Sequence, residues 1–538
     1  MKIRTLQMPA MGRCLWLYAL IVFAALGGCT DPERLDFYER SWSVTGPVVL
    51  DRQVAFLDQG RERLVLLTVQ GAEVSARHIP TVREPRGMIA SPNNKLLAVL
   101  SARDRAVTVI DVEASSERVY PLGQPFDQLV FSDDSARLLA HFSPSAQVPR
   151  DELFNPNAYA VIDLEREDIA AATSARALRS FGSAPYAVYW VPPFALDDSG
   201  LLQEYALFLF DSYVTFADLN DPSFEVTVQL TLSATDPVVK PRRVLFSSAQ
   251  GVPALQSAFV YLLADARDDI YTINLLPSVT PSGQARLAPS VNQLPSGRGP
   301  ADMATFTGPD GREKLLVVNT FSADVSLVDA ATASVLHVPL EAVANKIYLY
   351  EGLDEQSGEV QPFALLYDGS GGSVVSFVKL HQLQTRRNQA ISALSLRAGV
   401  QSLFQSSVEG QAVVIHSGGQ GLSIVDLAGQ FANPLQAGVA LQDVEHDATG
   451  QRLFATLSSS STLNMIDLTR SQPSAVRLDY AIDDLIWLPK ANALLALHSD
   501  DAGLITALEV APDAAPSRAR ARIHAGFFLQ GLLNENHE

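Results

Sequence analysis

The chain is predicted to be all-β, a ring of tandem four-stranded antiparallel blades of the β-propeller kind. Three observations predict this. First, residues 85–122 hold four short apolar runs, divided by turn signals at Ser91-Pro92-Asn93-Asn94, Arg103-Asp104-Arg105 and 114–117. Runs this short and this rich in Leu and β-branched residues favour strands over helices, and Pro and Asn set turn dihedrals at little cost. Second, the end of the third run, Val-Ile-Asp-Val around Asp111, recurs at Asp163, Asp218, Asn274, Asp329, Lys379, Asp426, Asp467 and Glu509, at intervals of 41 to 56 residues, with a weaker upstream copy at Thr68. That is the spacing of propeller blades, and a lone meander cannot bury both of its faces without neighbours of its own kind. Third, the ten copies run on with no Gly-, Ser- or Pro-rich linker to divide them. A single large ring is therefore expected. Seven or eight blades with strays, or two smaller rings, remain alternatives, since rings usually hold about four to eight blades.

The units follow in order. Strands begin at 43–50 and 53–57, and 64–69 and 74–79 complete the first unit. The second is 85–122. The third opens at 126–143 and carries a long connection at 144–157 between its second and third strands. The fourth, around 186–219, is the most aromatic stretch. The fifth and sixth follow to about 340. The seventh and eighth carry Asp368-Gly-Ser-Gly-Gly372 and Ser417-Gly-Gly-Gln-Gly421. A Gly-rich loop cradles phosphate when it leads into a helix N-terminus. Here strands follow, so both read as hairpin turns. The tenth unit ends in an Arg-rich patch at 518–522, with the last outer strand expected at 524–533.

At the sixth unit the sequence LLVVNTFSADVSLVDAATASV (315–335) resembles the YVTN-type β-propeller repeat, as do 96–114 and 453–471. The Pro that precedes the first strand of each family repeat stands at Pro85, Pro125, Pro185, Pro241 and Pro300 and is missing from units seven to ten. The resemblance implies the ring architecture. The family includes surface proteins and relatives of lactonases and redox enzymes, so the fold does not choose an activity.

The N-terminus reads as an address. Lys2, Arg4 and Arg13 precede an apolar run at 15–26, and Leu26-Gly27-Gly28-Cys29 follows. About a dozen apolar residues suit a signal peptide better than a membrane span. The sequence 26–29 resembles the lipobox of bacterial lipoproteins. That resemblance implies cleavage after residue 28, acylation of Cys29 and a membrane-tethered protein outside the cytoplasm; an uncleaved N-terminal anchor is the alternative. Thr30, rather than Asp, after the Cys favours the outer membrane by the same analogy. The organisation is then a signal peptide at 1–28, a lipidated tether at 29–42 and the propeller at 43–538.

Composition excludes several functions. Hydrophobic residues make up 47% and charged residues 18%, a globular balance. The net charge of −19 becomes −22 once Lys2, Arg4 and Arg13 are removed with no acid. Nucleic acid binding needs a basic footprint, and polybasic docking to anionic lipid needs the same, so neither is expected. The two cysteines are Cys14 in the signal region and Cys29, which leaves no thiol for a disulfide. The ring must close by packing and strand pairing.

Ligand chemistry in a propeller sits where the turns leading into the innermost strands meet the hairpins between second and third strands. Residues directly after the repeat prolines supply Arg86, Asp127, Arg242, Arg243 and Asp302 as a candidate channel-mouth site. The hairpins add Arg103, Asp104, Asp268, Asp269, Asp324, Asp500 and Asp501. Arginines beside carboxylates suit a carboxylate-bearing or sugar-like ligand; a solvated rim of mutually paired charges is the alternative. The nine histidines are scattered with no metal-binding spacing, and no calcium loop or nucleophile elbow is present. No metal, cofactor or catalytic residue is assigned. Single histidines such as His141, His416 and His498 read as packed or rim residues.

The functional expectation is a lipid-anchored, non-catalytic cell-envelope scaffold that binds a protein or envelope polymer. The alternatives are a periplasmic lactonase-like hydrolase, which needs carboxylates and a His converging at the channel mouth, and a sugar or small-ligand binding module. A broad apolar rim beside the aromatics at 186–210 would favour a protein partner.

Overall fold

The computed structural model describes residues 44–524 apart from internal stretches, of which the longest are 147–154, 248–257 and 511–519. Cys29, the signal region and the tether lie outside the described residues, as do Asp500, Asp501 and 525–538. The rest forms ten four-stranded antiparallel sheets, spanning 44–80, 85–121, 128–177, 187–229, 241–295, 300–339, 346–395, 400–435, 441–477 and 484–524. Each sheet is a blade built from one contiguous piece of chain, with its strands in sequence order from the channel outwards. Blade five alone interrupts that order, with a small hairpin (Pro277–Val279 and Ala285–Leu287) inserted between its third and fourth strands. That insertion accounts for one of the longer repeat intervals. The last described outer strand is Arg520–His524, which takes in Arg520 and Arg522 of the Arg-rich patch; 525–533, where the sequence places the outer strand, lies outside the described residues.

The core is divided among the blade interfaces. Ten apolar clusters each join one blade to the next: Leu57 and Leu97 across blades one and two, Val318 and Ala364 across six and seven, Phe454 and Trp487 across nine and ten. The tenth cluster closes the ring. Phe56, Val65 and Leu67 of blade one pack on Leu488, Leu495 and Ile505 of blade ten. The Lys490 amide donates to the Asp51 carbonyl at 3.1 Å across the same seam, and the Lys490 side chain pairs with Asp51. The first and last blades therefore dock side by side, and among the described residues each is built from its own stretch of chain. This arrangement explains why second and third strands read as unbroken apolar runs. Phe259–Ala264 is buried at all six positions because both faces of the strand meet a neighbouring blade.

The repeated Asp has a local job. Asp111, Asp163, Asp218, Asp329, Asp426 and Asp467 each end a third strand. Their carboxylates accept backbone N–H bonds from the following turn: Asp111 from Glu113 at 3.0 Å and Ala114 at 2.7 Å, Asp426 from Gly429 at 2.6 Å. This is the Asx-type turn that Asp favours. Where another residue stands there, the connection differs. Asn274 leads into the inserted hairpin, and Lys379 leads into short helical turns at 380–382 and 387–390. Asp111→Ala is expected to lower stability by about 1 kcal/mol, through loss of these turn bonds, read as a shift in the urea midpoint with m unchanged.

The repeat prolines also have a geometric consequence. Pro85, Pro241 and Pro300 each open an innermost strand, and in each the register slips by one residue directly afterwards. A proline has no N–H for the ladder, and a bulge there leaves the next residue unpaired and turned aside. Blades eight and nine keep the same slip, between Val400 and Ser402 and between Leu441 and Asp443, without a proline.

Candidate functional site

The bulge decides what becomes of the five channel-mouth candidates. Arg242 is the extra residue of its bulge, whereas Arg243 returns to the ladder opposite Leu263. The two neighbouring arginines are thereby sent to different places. Arg243 forms an ion pair with Asp302 on the innermost strand of blade six, and Asp302 accepts the Ile347 amide of blade seven at 2.9 Å. These two residues tie three blades together. Arg242 pairs with Asp265 at 3.6 Å and donates to the Pro300 carbonyl. Arg86 and Asp127 line a separate cleft of about 380 Å³ over blades one to three, with Gln59, Pro85 and Ser145. Asp127 accepts the Ser143 amide at 2.7 Å and also its hydroxyl. The five residues do not meet in one site.

The hairpin acids are engaged in the same way. Asp104 accepts the Arg83 amide at 2.8 Å, Asp268 the Gly299 amide at 2.8 Å, and Asp324 the Asn319 side chain at 2.6 Å. Arg103 pairs with Glu84 at 3.4 Å. The Gly-rich segments at 368–372 and 417–421 lie between second and third strands, as hairpin turns.

Two of the histidines at the ends of second strands, His416 and His498, belong to a latch that sequence alone did not reveal. His416 Nε2 lies 2.7 Å from the Ser423 hydroxyl, and its Nδ1 lies 3.3 Å from the Gly399 carbonyl. His498 repeats this with Thr506 at 2.9 Å and the Ala481 carbonyl at 2.6 Å. Each ring joins a third strand to the turn that leads into its own blade. Ser423 and Thr506 sit three residues before the motif acids Asp426 and Glu509, and Thr108, Thr215, Ser326 and Ser376 hold the same position in other blades. That regular hydroxyl was the available signal. Burial holds the His141 and His416 rings below the usual imidazole range.

The aromatics of blade four lie inside. Tyr205, Phe208 and Phe210 are buried, with Tyr159 and Phe208 rings 5.0 Å apart and Phe210 and Tyr213 stacked at 4.6 Å. These buried rings fill the gaps to blades three and five, and Tyr189 and Trp190 on the innermost strand are half-buried; among the described residues they form no broad apolar rim.

A second cleft, of about 490 Å³, opens between blades five and six on the face bearing the second-to-third hairpins. Arg242, Arg267 and Arg298 line it together with Gly299, Thr320 and Phe321. On the innermost strands of blades nine and ten, Asp443, Glu445 and Asp484 stand together. Asp443 accepts the Leu485 amide at 2.8 Å. Burial first, and then the charge of Asp443 and the hydrogen bond shared with it, push the Asp484 carboxyl up to about 7. Burial and then the charges of Asp443 and Asp484 take Glu445 to about 7. Among the described residues no group of three or more His, Cys, Asp and Glu side chains is arranged to hold a metal ion.

No family model and no curated protein matches this chain. Solved structures similar to it include dihydro-heme d1 dehydrogenase NirN in complex with DHE, at 12% identity and a TM-score of 0.38, over 74% of this chain and 76% of that one. A eukaryotic initiation factor is similar at 11% identity and a TM-score of 0.43, over 90% and 97% of the two chains. These likenesses concern the fold alone.

Proposed function

We propose that this chain is a cell-envelope β-propeller of YVTN-type repeats, fatty-acylated at Cys29 and held at the outer membrane, that acts as a non-catalytic scaffold for an envelope protein or polymer. The anchor rests on the charged, apolar and small-residue sequence that ends at Cys29. The scaffold reading rests on one observation: polar side chains of the hairpin face, Arg243, Asp302, Asp127 and Asp268 among them, hold neighbouring blades and turns in place. That makes a rigid frame on which surface loops are presented. Blade seven extends the frame with a long first hairpin, Lys346–Leu353 and Val360–Tyr367, whose tip pairs Leu353 with Val360, both 64% exposed. Exposed apolar side chains on a projecting hairpin suit a protein contact.

Metabolic labelling with a palmitate analogue tests the anchor: the wild type is expected to carry label and to partition with membranes, and Cys29→Ser to do neither. Equal labelling of both would overturn it. Affinity capture from envelope extracts tests the scaffold, with a partner expected on the wild type and lost from a Leu353→Asp, Val360→Asp double variant. Recovery of no partner, together with tight stoichiometric metal, would turn the reading towards a hydrolase. The cleft between blades five and six favours a second reading, a small-ligand module.

A further inference from the structure

We propose that the cleft between blades five and six binds a carboxylate carried on a flat apolar body. The inference is independent of the anchor and of the scaffold reading, and goes beyond both. Its volume of about 490 Å³ falls within the range of small-molecule pockets, roughly 300–1,000 Å³.

Three guanidinium groups reach this cleft in a protein whose net charge is −19. Among the described residues Asp268 is the one acid in the lining, and it already accepts the Gly299 amide at 2.8 Å. Arg267 uses one nitrogen on the Pro237 carbonyl, and Arg242 is shared between Asp265 and the Pro300 carbonyl. A guanidinium has five N–H donors, so both keep donors to offer. Arg298 is exposed and makes no ion pair among the described residues. Forked donors of this kind match the two oxygens of a carboxylate.

The apolar half of the site is Phe321, which is 77% exposed at the tip of a hairpin. Its ring lies against Gly299, where φ is +67°; a Cβ there would fall 2.5 Å from Phe321 Cδ2. Glycine adopts that backbone without strain and leaves room for the ring, which any Cβ would strike. The Thr320 and Phe321 amides donate to the carbonyls of Gly299 and Arg298, at 2.9 and 3.0 Å. The aromatic face and the Arg298 cation are thus fastened to each other through the backbone. A bare ring beside cations suits a planar anion that stacks while its charge is paired.

The test is calorimetric titration of the full chain with 2-naphthoate, 2-naphthamide and inorganic phosphate. Saturable naphthoate binding is expected, with naphthamide and phosphate weaker by about tenfold or more, since each lacks one of the two features. Arg298→Ala is expected to weaken naphthoate by about tenfold and Phe321→Ala by about fivefold. Both side chains are exposed, so an unchanged melting temperature serves as the folding control. Displacement of naphthoate by a peptide ending in phenylalanine, but not by its C-terminal amide, assigns the carboxylate to a partner chain. Naphthoate binding that such a peptide leaves untouched assigns it to a free small acid. No saturable naphthoate binding, equal binding of naphthamide or phosphate, or unchanged affinity in Arg298→Ala overturns the proposal.

Discussion

Replacing Asp329 by alanine is expected to cost about 2–3 kcal/mol, about two to three times the cost of the same change at Asp111, although both residues fill the same place in the repeat. The difference lies in Lys314. Its side chain is only 3% exposed, and its ammonium is held by Asp329 at 2.6 Å and Asp310 at 2.8 Å. Asp329 also accepts the Thr332 amide at 3.1 Å. Removing one partner of a buried pair leaves a charge that low-dielectric surroundings solvate poorly. In the single variant Asp310, which is 44% exposed, still offsets part of that charge. In the Asp310→Ala, Asp329→Ala double variant nothing does, and the loss is expected to reach about 3–5 kcal/mol. Adding Lys314→Met should restore most of it, because an apolar side chain of similar length fills the space without a charge. Urea unfolding of the four variants is the measurement. Equal losses in Asp111→Ala and Asp329→Ala, or no recovery with methionine, would contradict this account.

The melting temperature is expected to fall as pH rises from about 5 to 8, and Asp484→Asn is expected to flatten that fall. Asp443 and Asp484 stand on adjacent innermost strands, and Glu445 is two residues from Asp443 on the same face. Asp484 and Glu445 titrate at about 7 in the folded protein. In the unfolded chain they would release their protons near pH 4. Between these values the folded state binds more protons than the unfolded one, so stability declines with rising pH, by up to ~1.4 kcal/mol per unit for each group. Their contribution is full below about pH 4 and is lost as pH passes through about 7. His141 and His416 act with the opposite sign, because their depressed values make the unfolded state the better proton binder as pH falls below about 6.5. The wild type minus Asp484→Asn difference isolates the acidic group. Asparagine keeps a neutral hydrogen-bonding side chain without the titration. Parallel pH profiles for the two proteins would remove the effect.

The histidine latches and the acidic group have a common lesson. The latches join separate strands and turns of one blade, 7 to 17 positions apart, and the acidic group joins two blades, so neither follows the strand-to-strand period of the repeat. Ser423 and Thr506 did carry a faint periodic signal, a small hydroxyl three places before the motif acid, but its meaning needs the His at the end of the preceding strand. The channel-mouth candidates were selected by their place after a proline. Position after a proline does not distinguish Arg242 from Arg243, because one bulged position reverses which way a side chain points. Arg267, Arg298 and Phe321 escaped because they lie in turns of two different blades, and the cleft exists only once those blades pack.

By itself the sequence determined the repeat, its strand character and its ten copies, since alternating apolar runs and turn-forming residues act over a few positions. The turn role of the motif Asp is of the same local kind. Tertiary structure alone decided that the ten blades close into one ring, because closure depends on Phe56 meeting Leu495 across more than four hundred residues. It also decided which charges tie blades together and which face a cleft. Those outcomes follow from burial and from the direction of individual side chains, neither of which is written in the spacing of residues along the chain.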